Sequence, residues 1–155
     1  ENLGRTGLSA DVIEDDALAW TPVTAPDAIL LDAPCSATGT IRRHPELPHI
    51  RDGAGLAELP ELQAQQIDHA LSILKPGGRM VYATCSLLPA EGEDQMTAAL
   101  ARHPGLTVAP PQALGIDPGW ITPQGALRLR PDMWPERGGM DGFFILCLRK
   151  SPEGT

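Results

Sequence analysis

The sequence lacks the features that mark membrane-spanning, disulfide-stabilised and zinc-binding proteins. Its apolar runs are far shorter than the ~20 residues of a transmembrane helix, and the N terminus shows no signal-peptide pattern. Its three cysteines form neither a Cys-x-x-Cys pair nor a cluster with histidine. We therefore expect no membrane association, no disulfide framework and no metal site, and we expect a reducing, cytoplasmic environment.

Basic residues are also scarce, and this scarcity limits how the chain can bind nucleic acid. Lysine and arginine together number 12 against 20 acidic residues, which gives a net charge of −8. Phosphate contacts need clustered lysine and arginine, so a domain that holds nucleic acid by itself is disfavoured. Hydrophobic residues make up 42% of the 155 residues, which is enough for one globular domain with its own core.

Strand and helix patterns alternate along the chain. Apolar runs predict strands at residues 12–13, 27–31, 79–83, 106–109 and 142–149. Helices are predicted at 62–74, with Pro60 suited to the first turn, and at 91–103, with acidic residues at the start. This alternation predicts an α/β fold with a mostly parallel sheet. The continuous apolar run at 28–31 predicts a strand that is covered on both faces.

Two cysteines and one carboxylate follow consecutive predicted strands of the sheet. Asp32 and Cys35 come after the strand at 27–31, and Cys85 follows the strand at 79–83. In parallel sheets, ligands bind at the carboxyl ends of the strands. If these two strands are neighbours, they lie about 4.8 Å apart, and both thiols and the carboxylate then face one crevice.

The motifs that contain these cysteines resemble those of a known enzyme family. The first motif reads DAPCSATG at residues 32–39, and the second reads ATCS at 83–86. Together with IRRHP at 41–45, LKPGG at 74–78 and DGFF at 141–144, they resemble the Sun/Fmu-type bacterial rRNA cytosine-C5 methyltransferases. The resemblance covers nearly the whole chain, and two separate cysteine motifs at this separation make it specific.

The resemblance implies both a fold and a reaction. The fold is a partial Rossmann-like fold of the class I S-adenosylmethionine-dependent methyltransferases, with a mostly parallel sheet and an antiparallel C-terminal strand. The reaction transfers a methyl group from S-adenosyl-L-methionine to carbon 5 of a cytosine in RNA, with small-subunit rRNA as the expected substrate. A thiolate that adds to carbon 6 makes carbon 5 nucleophilic, which is covalent catalysis. By resemblance, Cys85 is this nucleophile and Cys35 assists release of the methylated product.

The residues themselves do not decide which of the two thiols attacks. Cys85 lies between a strand end and the start of a helix, where a thiolate is stabilised and its pKa can fall. This local setting favours Cys85. Cys147 lies inside an apolar strand, and we expect it to be a small buried hydrophobic residue.

The resemblance also implies contacts for residues outside the thiol pair. Asp32 is expected near the cofactor or the target base, and Asp16 near the adenine side of the cofactor, with Asp15 as its alternative if the register slips. Four residues are expected to contact the RNA substrate: Pro34, Arg42, Arg43 and His44.

Further residues could extend the RNA surface. Three later arginines are candidates for phosphate contacts: Arg128, Arg130 and Arg137. For Trp120 and Trp134, we expect core packing in preference to stacking on bases.

Two parts of the family's architecture are missing from this sequence. It has no glycine-rich cofactor loop between a strand and a helix, and it has no basic N-terminal RNA-binding domain. We therefore expect residues 1–155 to be the C-terminal portion of a catalytic domain that binds cofactor poorly and is inactive alone. The strand at 28–31 would then have a bare apolar edge that invites self-association, with residues 1–20 detached, rearranged or paired with another molecule.

Other functions remain open from the sequence. A tRNA or a different rRNA site could be the methylation target. A non-catalytic RNA-binding or ribosome-assembly module has no need of two thiols in one crevice. A thiol redox protein is disfavoured because the Cys-x-x-Cys pair is absent.

Overall fold

The computed structural model describes residues 2–50, 53, 55–111 and 115–152. Within these residues the helices are α1 Asn2–Thr6, α2 Leu47–Ile50, α3 Leu59–Ile73 and α4 Glu93–Arg102. The strands of the same part of the chain are β1 Ala28–Asp32, β2 Arg79–Thr84, β3 Leu106–Val108, β4 Leu127–Leu129 and β5 Phe143–Lys150. Short 3₁₀ turns lie at Thr38–Thr40, Leu56–Glu58, Pro89–Glu91, Pro118–Trp120 and Pro135–Arg137.

The sheet is mixed, with the strand order β1-β2-β5-β3 and with β4 paired to β5 beside that path. β1 and β2 are parallel, whereas β5 runs antiparallel to β2, β3 and β4. The predicted α/β class and the antiparallel C-terminal strand are confirmed. The expected majority of parallel pairs is not found among the described strands, because β5 pairs along its length with three antiparallel partners.

Helices α3 and α4 cover one face of this sheet and form the core with it. The side chains that meet there are buried: Ile67, Leu71, Met80, Tyr82, Met96, Ala99, Phe144, Leu146 and Leu148. Alternate residues of β2 and β5 point into this core, as the two-residue period of a strand requires. Each fully buried side chain of this size contributes about 1.5–3 kcal/mol, so this cluster is the main source of stability.

The predicted helices are confirmed with shifted ends. α3 begins at Leu59 and has Pro60 in its first turn. α4 begins at Glu93, because Pro89–Glu91 forms a separate 3₁₀ turn before it. The predicted strands that became β1, β2, β3 and β5 lie within one residue of their expected bounds.

β1 lies at the edge of the sheet, as expected. Among the described strands it pairs with β2 alone. Its burial alternates along the strand, and the Leu30 side chain is 72% exposed. The expectation of a strand covered on both faces is therefore wrong, because α3 packs on one face of β1 and no described element packs on the other.

The N-terminal segment lies apart from the sheet. Val12 and Ile13, a predicted strand, are 81% and 59% exposed and belong to no strand, so that prediction is wrong. α1 buries no residue. The segment approaches the core at Trp20, whose carbonyl oxygen lies 2.8 Å from Nε2 of His69. Residues 2–20 thus agree with the expectation that this segment leaves the sheet.

The short strand β4 was not predicted. Leu127 of β4 is in register with Ile145 of β5 and also bridges to Ile121. Its three residues give too short a pattern to be recognised without the partner strand. In the part of the chain that the structure describes, no helix has both the length and the apolar character needed to cross a membrane.

Candidate active site at the carboxyl ends of two parallel strands

The parallel pair β1–β2 brings the two cysteine motifs together. Asp32 at the end of β1 is in register with Ala83 of β2, so the chain leaves both strands at the same edge of the sheet. Cys35 and Cys85 follow these ends as free thiols, and their Sγ atoms are 3.4 Å apart. The expectation that both thiols share one crevice is confirmed.

Close backbone contacts fix the loop that carries Cys35. The amide of Gly39 donates to the carbonyl oxygen of Cys85 at 2.9 Å, and the amide of Gly142 donates to the carbonyl oxygen of Gly39 at 2.8 Å. A β-carbon at Gly39 would overlap the Gly142 backbone. Glycine at this position therefore lets the Cys35 loop approach both the Cys85 loop and the start of β5.

Hydroxyl groups join the same two loops. Oγ of Ser36 lies 3.1 Å from Oγ of Ser86 and 3.2 Å from Oγ1 of Thr38. The amide of Leu87 donates to Oγ1 of Thr38 at 2.9 Å. Between them, Ala37 has the left-handed backbone conformation, with φ 58°, which residues other than glycine adopt at some cost. The loops form one connected unit, and each thiol precedes a buried serine.

A buried carboxylate beside the Cys35 loop was not predicted from the sequence. Glu91 is 1% exposed, and its carboxylate accepts hydrogen bonds from the amide of Ser36 at 3.0 Å and from its hydroxyl at 2.6 Å. Nε2 of Gln63 donates to it at 3.2 Å. The sequence interpretation treated residue 91 as an acid that favours a helix start. A usable signal was Gln63, a polar residue four positions before the buried Ile67 on the apolar stripe of α3.

The Cys85 thiol holds its proton tightly. Burial raises the pKa of Cys85 above its ordinary value of 9.0, and the hydrogen bond and charge of Cys35 raise it further. The carboxylate of Asp32 acts in the same direction. The expectation that the Cys85 pKa falls is therefore wrong, because desolvation and the neighbouring Cys35 thiol raise it. Burial also raises the pKa of Cys147, which is half-buried in β5.

The two carboxylates predicted for the cofactor lie in different surroundings. Asp32 is exposed at the end of β1 and lies close enough to Cys85 to influence its pKa. Asp16 is exposed in a turn, where its side chain accepts from the amide of Leu18 at 2.9 Å and its carbonyl oxygen accepts from the amide of Trp20 at 2.8 Å. The structure brings Asp32 to the thiols and shows Asp16 in the segment that stands apart from the sheet.

The residues predicted to contact RNA lie beside the Cys35 loop. Arg43 donates from Nε to Oδ2 of Asp141 at 2.6 Å, and Nη2 of Arg42 lies 3.6 Å from Oδ1 of the same carboxylate. The hydrogen bond and charge of Arg43 hold the pKa of Asp141 below its usual range. Pro34 and His44 are exposed nearby in sequence. Both arginine side chains remain about half exposed, so they can still meet a ligand.

Of the later arginines, Arg128 is part of the folded framework. Its side chain is 13% exposed and forms a two-point ion pair with Glu93. Its Nη1 donates to the carbonyl oxygen of Ser86 at 2.7 Å, and its guanidinium lies over the ring of Phe144. The loop after Cys85 is therefore held by the partly buried ion pair of Arg128 with Glu93. Arg130 is exposed and pairs with a nearby aspartate.

The two tryptophans form a surface pair. Their ring centroids are 5.1 Å apart in an edge-to-face arrangement. Trp134 is 37% exposed, and the guanidinium of Arg137 lies over its ring. The expectation of core packing is therefore wrong for Trp134, because this segment lies outside the face that α3 and α4 cover.

Two cavities open beside the thiol loops. One, of about 230 Å³, is lined by Ser36, Thr38, Ile41, Leu47, Pro48 and Leu56. The other, of about 530 Å³, is lined by Leu87, Pro89, Glu93, Arg128, Arg130, Pro131 and Asp132. The first cavity is lined in part by Ser36 and Thr38 of the Cys35 motif, and the second by Leu87, which directly follows the Cys85 motif. Among the described residues, no group of three or more histidine, cysteine or acidic side chains is arranged to hold a metal ion.

Residues 1–149 match the family described as 16S rRNA methyltransferase RsmB/F. The chain belongs to this family. It is 44% identical to the ribosomal RNA small subunit methyltransferase B of Shewanella oneidensis and 49% identical to that of Klebsiella pneumoniae. Each alignment covers 97% of this chain, and the shares of the two relatives are 34% and 33%. The chain thus spans about a third of the length of these curated relatives.

Solved structures support the same placement. A methyltransferase homolog protein from Pyrococcus horikoshii matches with a TM-score of 0.71 and 30% identity, over 96% of this chain and 48% of that one. NSun6 from Pyrococcus horikoshii, solved with SFG, matches with a TM-score of 0.74 and 27% identity, over 99% and 38%. The expected Rossmann-like fold and the expected family are confirmed.

Proposed function

We propose that this chain is the C-terminal portion of the catalytic domain of an RNA cytosine-C5 methyltransferase that uses S-adenosyl-L-methionine. The observation that carries the proposal is the pair of free thiols, 3.4 Å apart, at the carboxyl ends of two parallel strands. Membership of a 16S rRNA methyltransferase family supports RNA methylation. The thiol pair supports chemistry through a covalent cysteine adduct.

The proposed reaction uses the two thiols in turn. The thiolate of Cys85 adds to carbon 6 of cytosine, and the electron pair displaced from the ring double bond makes carbon 5 nucleophilic. S-adenosyl-L-methionine, when bound, supplies an electrophilic methyl group. After carbon 5 has lost its proton to a base, the ring double bond re-forms and the bond between Cys85 and carbon 6 breaks. Cys35 lies within reach of the departing sulfur and assists this release.

Activation of Cys85 requires loss of a proton that the site holds tightly. Burial, the hydrogen bond with Cys35 and the charge of Cys35 all raise the pKa of Cys85. Because the thiolate is the attacking form, we expect the rate of adduct formation to increase as the pH rises above neutrality.

The carboxylate of Asp32 fits one side of a cofactor site. It is exposed at a strand end beside Cys85, and a carboxylate accepts hydrogen bonds from the hydroxyl and amino groups of an adenosyl ligand. Asp16 is the second candidate, for the adenine side. SFG, an analogue of S-adenosylmethionine, accompanies one structural neighbour and supports this cofactor class. Because the sequence lacks a glycine-rich loop, we propose that the chain alone binds cofactor weakly and is inactive.

RNA would be held beside the Cys35 loop. Arg42, Arg43 and His44 are exposed there, and Pro34 is exposed directly before the thiol. Asp141 already shares its charge with both arginines, so their contribution to phosphate binding is expected to be modest and dependent on salt. Small-subunit rRNA is the proposed substrate, since the curated relatives are named for it.

The test uses the polypeptide with the N-terminal remainder of its relatives restored. Wild type, Cys85→Ala, Cys35→Ala and, as a matched control, Cys147→Ala are each incubated with cofactor and small-subunit rRNA. Denaturing gels then detect covalent protein–RNA adducts, and transfer of labelled methyl groups measures activity. We expect Cys85→Ala to be inactive without an adduct, Cys35→Ala to accumulate the adduct, and Cys147→Ala to behave as wild type.

Two other outcomes would change the proposal. If Cys85→Ala accumulates the adduct instead, the two thiols exchange roles. If neither wild type nor any variant transfers methyl groups or forms an adduct with RNA, the proposed methyltransferase function is wrong. Replacing rRNA with tRNA in the same assay separates the two substrate classes.

A further inference from the structure

Glu91 is the most deeply buried acidic side chain near the thiols. It ends the 3₁₀ turn between β2 and α4, and it is 1% exposed. A carboxylate in such a place is costly unless several donors satisfy it. Among the described residues, the hydrogen-bond partners of the Glu91 side chain are Ser36 and Gln63, and neither thiol is one of them, so a direct role on the thiols does not explain its burial.

The carboxylate of Glu91 holds the residues on both sides of Cys35. Its oxygens accept from the amide of Ser36 at 3.0 Å and from the hydroxyl of Ser36 at 2.6 Å. Nε2 of Gln63 donates to Oε1 of Glu91 at 3.2 Å and to the carbonyl oxygen of Pro34 at 2.9 Å. Pro34 and Ser36, the residues directly before and after Cys35, are thereby tied to the Glu91 side chain, Pro34 through Gln63.

The backbone of Glu91 holds the strand that leads to Cys85. Its carbonyl oxygen accepts from Oγ1 of Thr84 at 3.1 Å and from the hydroxyl of Tyr82 at 2.9 Å. Thr84 directly precedes Cys85 and is fully buried. One residue therefore contacts the neighbours of both thiols, through its side chain on one side and its main chain on the other.

We propose that Glu91 is a positioning residue that sets the distance and exposure of Cys35 relative to Cys85. The proposal deepens the function proposed above, which needs both thiols to act on one base. A carboxylate suits this role because the donors that converge on it need acceptors only. Glutamine has nearly the same size but one acceptor oxygen in place of two, so the Ser36 amide, the Ser36 hydroxyl and Gln63 can no longer all donate to residue 91 as they do to the carboxylate. Glu91→Gln therefore tests the hydrogen bonds without creating a cavity.

The first experiment needs neither RNA nor cofactor. The folded 155-residue chain is alkylated with iodoacetamide at about pH 8, where thiol reactivity reports thiolate fraction and access, and peptide mass spectrometry gives separate rates for the three cysteines. Cys147 serves as the internal standard, because it lies in β5 away from this network. Glu91→Gln and the milder Ser36→Ala are compared with Gln95→Met. Gln95 is also buried, and its amide donates to the carbonyl oxygens of Pro60 and of Ala90, which directly precedes Glu91, but to neither thiol loop.

We expect Glu91→Gln and Ser36→Ala to change the Cys35 rate, relative to Cys147, by about fivefold or more, the factor that corresponds to one hydrogen bond. Gln95→Met should leave that ratio within about twofold, since it removes bonds to Pro60 and Ala90 but none of the bonds between Glu91 and the Cys35 loop. Unchanged ratios in both folded test variants would overturn the proposal. If Glu91→Gln does not fold, the Ser36→Ala result decides.

The second experiment separates this inference from the proposed function. In the N-terminally completed polypeptide, Glu91→Gln is expected to lower kcat for methyl transfer while leaving KM for RNA unchanged, and Glu91→Asp to recover part of the loss. If the polypeptide has no methyl transfer at all, the proposed function fails, yet the alkylation ratios still decide whether Glu91 positions the thiols. If KM rises with kcat unchanged, Glu91 acts on RNA binding and the positioning role is wrong.

Discussion

β1 and β2 are parallel neighbours, and each leads into a loop that carries one of the two neighbouring thiols, yet they lie in different environments. β2 lies between β1 and β5, and its Met80, Tyr82 and Thr84 are all fully buried. β1 has one partner among the described strands, and its Leu30 is 72% exposed. The more apolar sequence is thus on the more exposed strand. Position in the sheet, and not local hydrophobicity, decides which strand is buried.

The loops after these strands are both held by segments that are distant in the chain. The carbonyl oxygen of Ser86 in the Cys85 loop accepts from the ion-paired Arg128. The Cys35 loop is held by contacts with Gln63, Glu91 and Gly142. A thiol on an edge strand can therefore be held firmly, provided that the core extends a network to it.

The largest expected effect is on the free energy of unfolding, and it appears when a leucine of the core and a leucine of the edge strand are each replaced by alanine. Leu146→Ala, at a fully buried site in β5, should lower the free energy of unfolding by about 2–5 kcal/mol. Leu30→Ala, at the exposed position of β1, should change it by less than about 0.5 kcal/mol. Urea unfolding of the two variants measures both values.

Equal losses for the two variants would contradict this contrast. They would indicate that β1 is covered in solution, as expected if two copies pair through the exposed edge strand. Analytical ultracentrifugation over a range of concentrations distinguishes that case. A monomer at all concentrations, with the two losses still equal, would mean that β1 is not the edge of the sheet.

The second prediction compares the stability lost when Arg128, beside the Cys85 loop, and Arg43, which follows the Cys35 loop, are each replaced by alanine. Arg128→Ala removes an ion pair and a bond to the Ser86 carbonyl from a side chain that is 13% exposed, and should cost about 1.5–3 kcal/mol. Arg43→Ala removes an ion pair with Asp141 from a side chain that is 54% exposed. Its effect on the urea midpoint should be much smaller, because water screens exposed pairs. A larger loss for Arg43→Ala than for Arg128→Ala would reverse the comparison of the loops.

The smallest expected effect is a dependence of stability on pH that comes from titration of the Cys85 thiol. The folded state holds the proton of Cys85 more tightly than the unfolded chain, whose thiol has the ordinary pKa of 9.0. Its stabilising contribution is therefore complete below pH 9.0 and is lost as the pH rises toward the folded value. The unfolding midpoint of wild type should fall between about pH 8 and pH 10.5, and that of Cys85→Ala should fall less steeply. Identical slopes would indicate that the Cys85 pKa is not raised.

Much of the site could be predicted from the sequence, because the motifs lie at strand ends. The strands that became β1 and β2 were recognisable from their apolar runs, and their order placed Asp32, Cys35 and Cys85 at one edge. Val12 and Ile13 misled the prediction, since a short apolar pair has no strand character until a partner is available. Trp134 misled it because an aromatic side chain can cover the surface as well as the core.

The sequence by itself determined the two longer helices, four of the strands, the family and the two thiols, since these follow from periodicity and from motifs within short stretches of chain. Only the tertiary structure decided that Glu91 is buried against Ser36, that Arg128 supports the Cys85 loop and that the Cys85 thiol holds its proton. Each depends on groups brought together from positions far apart in the chain: 55 residues separate Ser36 from Glu91, and 50 separate the two thiols. Burial and hydrogen bonding at such distances are properties of the packed core, and no local pattern encodes them.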